Sequence, residues 1–130
     1  MLKLNRCHHI AIICSDYERS KLFYTSILGF KIIKEQYRIQ RDSFKLDLSL
    51  NGEYLIELFS FPSTPKRISR PEATGLRHIC FEVDNLELVI NFLYDKKISF
   101  EDIRTDEATN KRFTFIFDPD DLPIELYEKY

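Results

Sequence analysis

Along this chain a short apolar run gives way to a helical period and then to alternation, and the cycle runs twice. Residues 8–14, HHIAIIC, are β-branched and apolar, which predicts a strand. Ser15-Asp16-Tyr17-Glu18 has the spacing of a capping box, with Ser15 capping a helix and Glu18 reaching back. The helix is expected to run to about Leu28, where Gly29 stops it. Strands are expected at Phe30–Ile33, Phe44–Leu50 and Tyr54–Phe59, the last two joined by an Asn51-Gly52 hairpin turn. The same order returns about 69 residues further on. His78–Val83 predicts a strand, Asp84 to Glu87 a second capping box, and the helix continues through Phe92. Strands follow at Ile98–Ile103, Arg112–Phe117 and Ile124–Tyr127, with Asp118-Pro119-Asp120-Asp121 as the turn between the last two.

Each half therefore reads βαβββ, and the fold class is α+β. The expected organisation is a single domain over 1–130, made of a module 1–61, a Pro/Ser/Thr-rich linker 62–75 and a module 76–130. Two such units predict curved mixed sheets flanking a groove, with helices outside. Strand alternation assigns Ile10, Ile12, Ile56, Leu58, Ile79, Phe81, Ile124 and Leu126 to the helix side. The opposite parity then faces the groove.

Four residues of groove parity stand out. The opening strand of the first half carries His9 and its closing strand Glu57; the second half carries His78 and Glu125. Glu57 follows His9 by 48 residues and Glu125 follows His78 by 47, and both glutamates sit in an Ile-Glu-Leu tripeptide. Taken singly, each would pass as a residue on a solvated strand face. Repetition in register changes that, because an ionised carboxylate between Ile and Leu is costly to bury without a partner. Two imidazoles and two carboxylates form a neutral donor set around a divalent cation, suited to Zn, Ni, Fe, Co or Mn more than to Ca. His8 has the opposite parity and stands seven residues before Ser15. His9 stands six before it, as His78 stands before Asp84, so His9 is the assigned ligand.

Composition narrows the partners. Lys plus Arg is 19 and Asp plus Glu is 21, a formal net charge of −2, so no broad basic footprint points to nucleic acid. Aromatic residues make up 14% of the chain, which excludes disorder as its main state. With 3 Gly and no GxGxxG or GxxxxGK[ST] string, phosphate-loop chemistry is excluded. No apolar stretch approaches the length of a membrane span, and the first residues lack a signal-peptide pattern. The three cysteines, Cys7, Cys14 and Cys80, show no CxxC spacing, which fits a reduced, cytoplasmic protein. Arg38, Arg41 and Lys45, in YRIQRDSFK, are candidates to hold a substrate carboxylate or phosphate. Phe59 and Phe115 are candidate pocket walls, Phe59 sharing the parity of Glu57.

Four segments together carry a resemblance: HHIAIICSDYERSKLFYTSILGF, YLIELFSFP, GLRHICFEVDN and FDPDDLPIELYE. Over nearly the whole chain they resemble the vicinal oxygen chelate superfamily and, within it, its glyoxalase I-like (lactoylglutathione lyase-like) branch. The resemblance implies the glyoxalase/bleomycin resistance/dioxygenase fold and a divalent metal held by His9, Glu57, His78 and Glu125. It implies a lyase or isomerase acting on a small α-oxo or α-hydroxy, hemithioacetal-like substrate through a metal-stabilised enediolate. Glu125 is the first choice of base, with Glu57 the opposing carboxylate. A homodimer is implied as well, the modules of this superfamily pairing either within a chain or across a dimer. Ile13 stands where glyoxalase I enzymes commonly present an Arg to the glutathione carboxylate, which argues against a glutathione substrate. Asp121 replaces the Gly of the usual DPDG turn. Competing readings are a ring-cleaving dioxygenase, an epoxide-opening thiol transferase, an acyl-CoA epimerase and a metal-free drug-sequestering protein.

Overall fold

The structure is a computed structural model that describes residues 1–129. It divides into two compact units, Met1–Lys66 and the chain from Arg67 onward, a boundary inside the Pro-rich stretch. The first unit holds strand β1 (Ile10–Cys14), helix α1 (Tyr17–Leu22) prolonged by a π-turn (Phe23–Ile27), and strands β2 (Lys31–Arg38), β3 (Ser43–Leu50) and β4 (Glu53–Ser60). The second holds β5 (Ile79–Val83), α2 (Leu86–Asp95), β6 (Arg104–Asp106), β7 (Lys111–Phe117) and β8 (Pro123–Glu128). Each sheet has four strands, in the orders β1-β4-β3-β2 and β5-β8-β7-β6. In both, the opening strand runs parallel to the closing one and the other pairings are antiparallel.

Alternation works as the hydrophobic pattern requires. Ile12, Ile56, Leu58, Leu46 and Leu48 are buried on one face of the first sheet, where Tyr17 and Tyr24 from the helical segment join them. Ile79, Ile124, Leu126 and Ile116 do the same in the second, with Leu86 and Leu93 of α2. Each such side chain contributes about 1.5–3 kcal/mol by leaving water. Ile10 and Phe81 lie on these faces but stay half-buried.

Both helix caps fall one residue later than the sequence pattern predicts. Asp16, not Ser15, accepts the Arg19 amide at 3.0 Å, and Asn85, not Asp84, accepts the Leu88 amide at 3.1 Å. Burial of Tyr17 and Leu86 sets the phase, so Glu18 and Glu87 stand in the first turn, where they favour the helix dipole. The first helix ends with Leu28 as cap and Gly29 at φ +77°, as expected. The second closes in a Schellman motif around Lys97 (φ 58°), with Ile98 N–H donating to Leu93 C=O at 2.9 Å.

The strand expected at Ile98–Ile103 is absent: the β6–β7 ladder covers Arg104–Asp106, and upstream of it Glu101 N–H donates to the Phe115 carbonyl at 2.9 Å. Ile98 is used in closing the helix, its N–H donating to Leu93, and the Thr114 hydroxyl donates to the Glu101 carbonyl at 2.6 Å. Conversely, β2 extends past Ile33 to Arg38. Bulges interrupt the β2–β3 ladder at Ile33 and the β3–β4 ladder at Leu55. Both predicted turns form: Asn51 and Gly52 take φ of 51° and 84°, and Asp121 takes 63°.

Candidate functional site

Parallel closure of each sheet brings a His and a Glu together. The register sets Ala11 beside Glu57 and Cys80 beside Glu125. His9 and His78 lie two residues before Ala11 and Cys80, on the same face, one residue ahead of β1 and β5 respectively. The result is the same contact twice. His9 Nε2 lies 3.3 Å from Glu57 Oε2, and His78 Nε2 lies 3.0 Å from Glu125 Oε2. Both glutamate side chains are only 14% exposed, too shielded to stand without a cation or donor.

The surroundings of the two pairs differ. In the first unit Lys45 Nζ bridges Glu57 (2.7 Å) and Asp47 (2.6 Å). The Tyr54 hydroxyl donates to Glu57 and lies 3.4 Å from Asp47. Partial burial pushes the Glu57 carboxyl up, but the Lys45 and Tyr54 hydrogen bonds and the charges of Lys45 and His9 outweigh it and hold the group below the usual range. Burial opposes the Lys45 charge, yet Asp47 and Glu57 raise the ammonium above its ordinary value. Burial, and then the bond to Glu57, raise the Tyr54 phenol. His9 Nδ1 is 2.8 Å from His8 Nδ1, and the His9 ring stacks on Tyr54 with centroids 5.4 Å apart.

In the second unit the Glu125 carboxylate faces His78 and the Cys80 thiol. Burial, then the Glu125 charge and hydrogen bond, push that thiol up to about 11. His78 Nδ1 is buried without a hydrogen-bond partner. Its ring meets the edge of Phe115 with centroids 5.3 Å apart, and Phe115 is the cross-strand partner of Glu125.

The remaining sequence candidates divide. The Arg38 guanidinium lies 4.9 Å from the Phe59 ring centre and 5.9 Å from that of Phe61, and donates to Ser43 Oγ at 2.7 Å. Lys45 Nζ is 6.0 Å from the same Phe59 ring, so Arg38, Lys45 and Phe59 form one cluster. Arg41 ends an exposed 3₁₀ turn (Ile39–Arg41) and has no ion-pair or ring partner among the described residues. Asp47, Tyr54 and His8 belong to the site although sequence reasoning did not place them there. Asp47 had a signal, since Lys45 and Asp47 alternate with Leu46 and Leu48.

The donor atoms suit a divalent cation. Two ligands each 2.0–2.2 Å from one ion at angles of 90–109° stand about 2.9–3.5 Å apart, and both His–Glu contacts fall in that span. Among the described residues no group of three or more His, Cys, Asp or Glu is placed to hold a metal ion, and the four predicted ligands stand as two separate His–Glu contacts. No helix among them is long and apolar enough to cross a membrane.

Comparison with known proteins sets this geometry in context. The family model described as "Glyoxalase/Bleomycin resistance protein/Dioxygenase superfamily" matches residues 6–126. The uncharacterized protein YwkD of Bacillus subtilis is 62% identical over 126 residues, covering 97% of this chain and 98% of its own length. The crystal structure of a glyoxalase family protein from Enterococcus faecalis superposes with a TM-score of 0.86 at 46% identity, covering 95% of this chain and 97% of that one. Two enzymes are more distant. The lactoylglutathione lyase of Schizosaccharomyces pombe is 29% identical over 93% of this chain, which matches 46% of that enzyme. The mitochondrial methylmalonyl-CoA epimerase of Bos taurus is 28% identical over 73% of this chain and 56% of its own.

Proposed function

Because the chain belongs to the Glyoxalase/Bleomycin resistance protein/Dioxygenase superfamily, we propose that it is a divalent-metal-dependent lyase or isomerase of glyoxalase I type, acting on a small α-oxo or α-hydroxy substrate. The observation that carries the reading is the His–Glu contact built twice, at 3.3 Å and 3.0 Å, by the same strand register. His9, Glu57, His78 and Glu125 are the proposed ligands. A bound divalent cation would supply Lewis-acid stabilisation of the negative charge that develops on substrate oxygens.

The protein's own groups divide the remaining work. Glu125 is the proposed base: it removes a carbon-bound proton and returns it to the neighbouring carbon, so the isomerisation needs no oxidant or reductant. Its polar partners are His78 and the Cys80 thiol, and neither fixes it as an ammonium would. Glu57, held by Lys45 and Tyr54, is the proposed fixed carboxylate. Phe115 packs against the His78 ring and stands across the ladder from Glu125. A cytoplasmic homodimer is the proposed working form.

The epimerase relative favours a second reading, in which the same proton removal and return inverts a centre next to an acyl-CoA carbonyl. Both readings are tested together. Bound divalent metal is measured in the purified protein, in Glu57→Gln and in His78→Ala. Hemithioacetal isomerisation, acyl-CoA epimerisation, catechol cleavage with iron under oxygen, and thiol addition to an epoxide are assayed side by side. The expected result is metal in the wild type, its loss in His78→Ala, and turnover of the hemithioacetal. Full metal retention in both variants would sink the ligand set. Turnover of the acyl-CoA alone would select the epimerase.

A further inference from the structure

We infer that Arg38 anchors a subsite in the first unit for the carboxylate or phosphate of a substrate that carries such a group at its far end. Three observations lead there. The first is an unmatched charge. Arg38 is partly buried, yet no carboxylate lies within ion-pair distance of it among the described residues. Three other partly buried cations do have acids: Lys45 has Asp47 and Glu57, Lys21 has Glu35, and Arg112 has Glu128 and Glu87. A shielded guanidinium without an anion is costly, and a ligand oxyanion relieves that cost.

The second is rigidity. Phe59 and Phe61 stack with centroids 6.2 Å apart and planes 11° from parallel, and the guanidinium rests over both. Ser43, itself fully buried, accepts from Nη2 at 2.7 Å. The cation is thus held in place before any ligand arrives, which limits the ordering cost of binding.

The third is position. Phe59 follows Glu57 by two residues on the same strand face, a step of about 7 Å along β4. A substrate reacting beside the His9–Glu57 pair would place an oxyanion a few bonds away at Arg38. Lys45 stands between them with its charge already shared by two acids, so the open cation is Arg38. The predicted substrates are short acids with a terminal carboxylate or phosphate. The distance clause rests on the proposed function; the anion subsite does not.

Titration calorimetry on the full chain as purified tests this with succinate, inorganic phosphate and neutral succinamide as probes. Succinate or phosphate is expected to bind, succinamide is not, and the stronger of the two anions identifies the natural group. Arg38→Met should weaken anion binding about tenfold to a hundredfold, Arg38→Lys less, and the exposed control Arg19→Gln not at all. Thermal unfolding checks that each variant folds. Equal binding by wild type and Arg38→Met, or no anion binding by a folded wild type, overturns the subsite. The wild type separates the two ideas. Intact anion binding alongside failure of every turnover assay by the folded wild type removes only the catalytic reading. Turnover whose KM is unchanged in Arg38→Met removes only the subsite.

Discussion

The two His–Glu pairs share a register and differ in almost everything around it. In the first unit Glu57 is gripped by an ammonium and a phenol, and its histidine leans on a second histidine. In the second, cross-strand equivalence puts Phe113 and Phe115 where the first has Lys45 and Asp47, and Glu125 keeps an imidazole and a thiol. One added residue explains part of the contrast. The bulge at Leu55 turns Tyr54 onto the face of Glu57, whereas the β7–β8 ladder runs unbroken from Phe113 to Phe117. Repeated backbone geometry sets where the pair sits; the flanking side chains set how firmly its carboxylate is held.

The largest effect expected from this contrast is catalytic. Glu125→Gln should lower kcat about 10²- to 10⁴-fold in whichever assay the wild type turns over, and more than Glu57→Gln does. Steady-state kinetics of both variants would break the comparison if the order reversed.

A second test makes the first unit resemble the second. Lys45→Met leaves the Asp47 and Glu57 carboxylates without their ammonium and should cost about 1–3 kcal/mol in urea unfolding. Adding Asp47→Leu should recover part of that loss, because removing both partners of a polar contact is milder than removing one. No recovery would mean that Asp47 has a role beyond its contact with Lys45.

A third concerns a contact in the second unit alone. Glu128 accepts from Arg112 Nη2 (2.8 Å) and Nε (2.9 Å) and from the Leu86 amide at the start of α2. The Arg112 hydrogen bonds, outweighing the effect of burial, hold its carboxyl below the usual range. A lowered folded-state value stabilises the protein above the ordinary glutamate range and loses that contribution as pH falls through it. Glu128→Gln should therefore lower the melting temperature at pH 7, and the gap to wild type should close in acid. A gap independent of pH would assign the loss to packing.

The smallest effect is in the turns. Asn51-Gly52 serves the β3–β4 hairpin, while Asp121 carries a positive φ of 63° with a side chain in place. Asp121→Gly should raise stability by at most about 1 kcal/mol, read from the same unfolding curves.

Much of this was legible in the sequence because strand alternation has a strict period. Once Ile56 and Leu58 face the helix, Glu57 cannot, and the same argument places Glu125. The helix caps were legible only to within one residue: Ser15-Asp16 and Asp84-Asn85 each offer two capping side chains, and burial of Tyr17 and Leu86 chooses between them. Ile98, Phe100 and Ile103 read as a strand because nothing local announces a Lys in the left-handed region at position 97. Tyr54 was hidden for another reason. Three residues from Glu57 in an unbroken strand, it would face away, and only the bulge reverses that.

The parallel closure of each sheet also orders events in time. Within the first unit β2, β3 and β4 are joined by short local connections, whereas β1 must find β4 across most of the unit's length. Closing that long loop has the larger entropic cost and so belongs late in folding. On a ribosome His9 emerges long before Glu57, and His78 long before Glu125. Neither pair exists until its last strand has docked, so a half-made unit has its histidine but not the glutamate that meets it. Completion of the fold and completion of the His–Glu contact are the same step, taken once per unit.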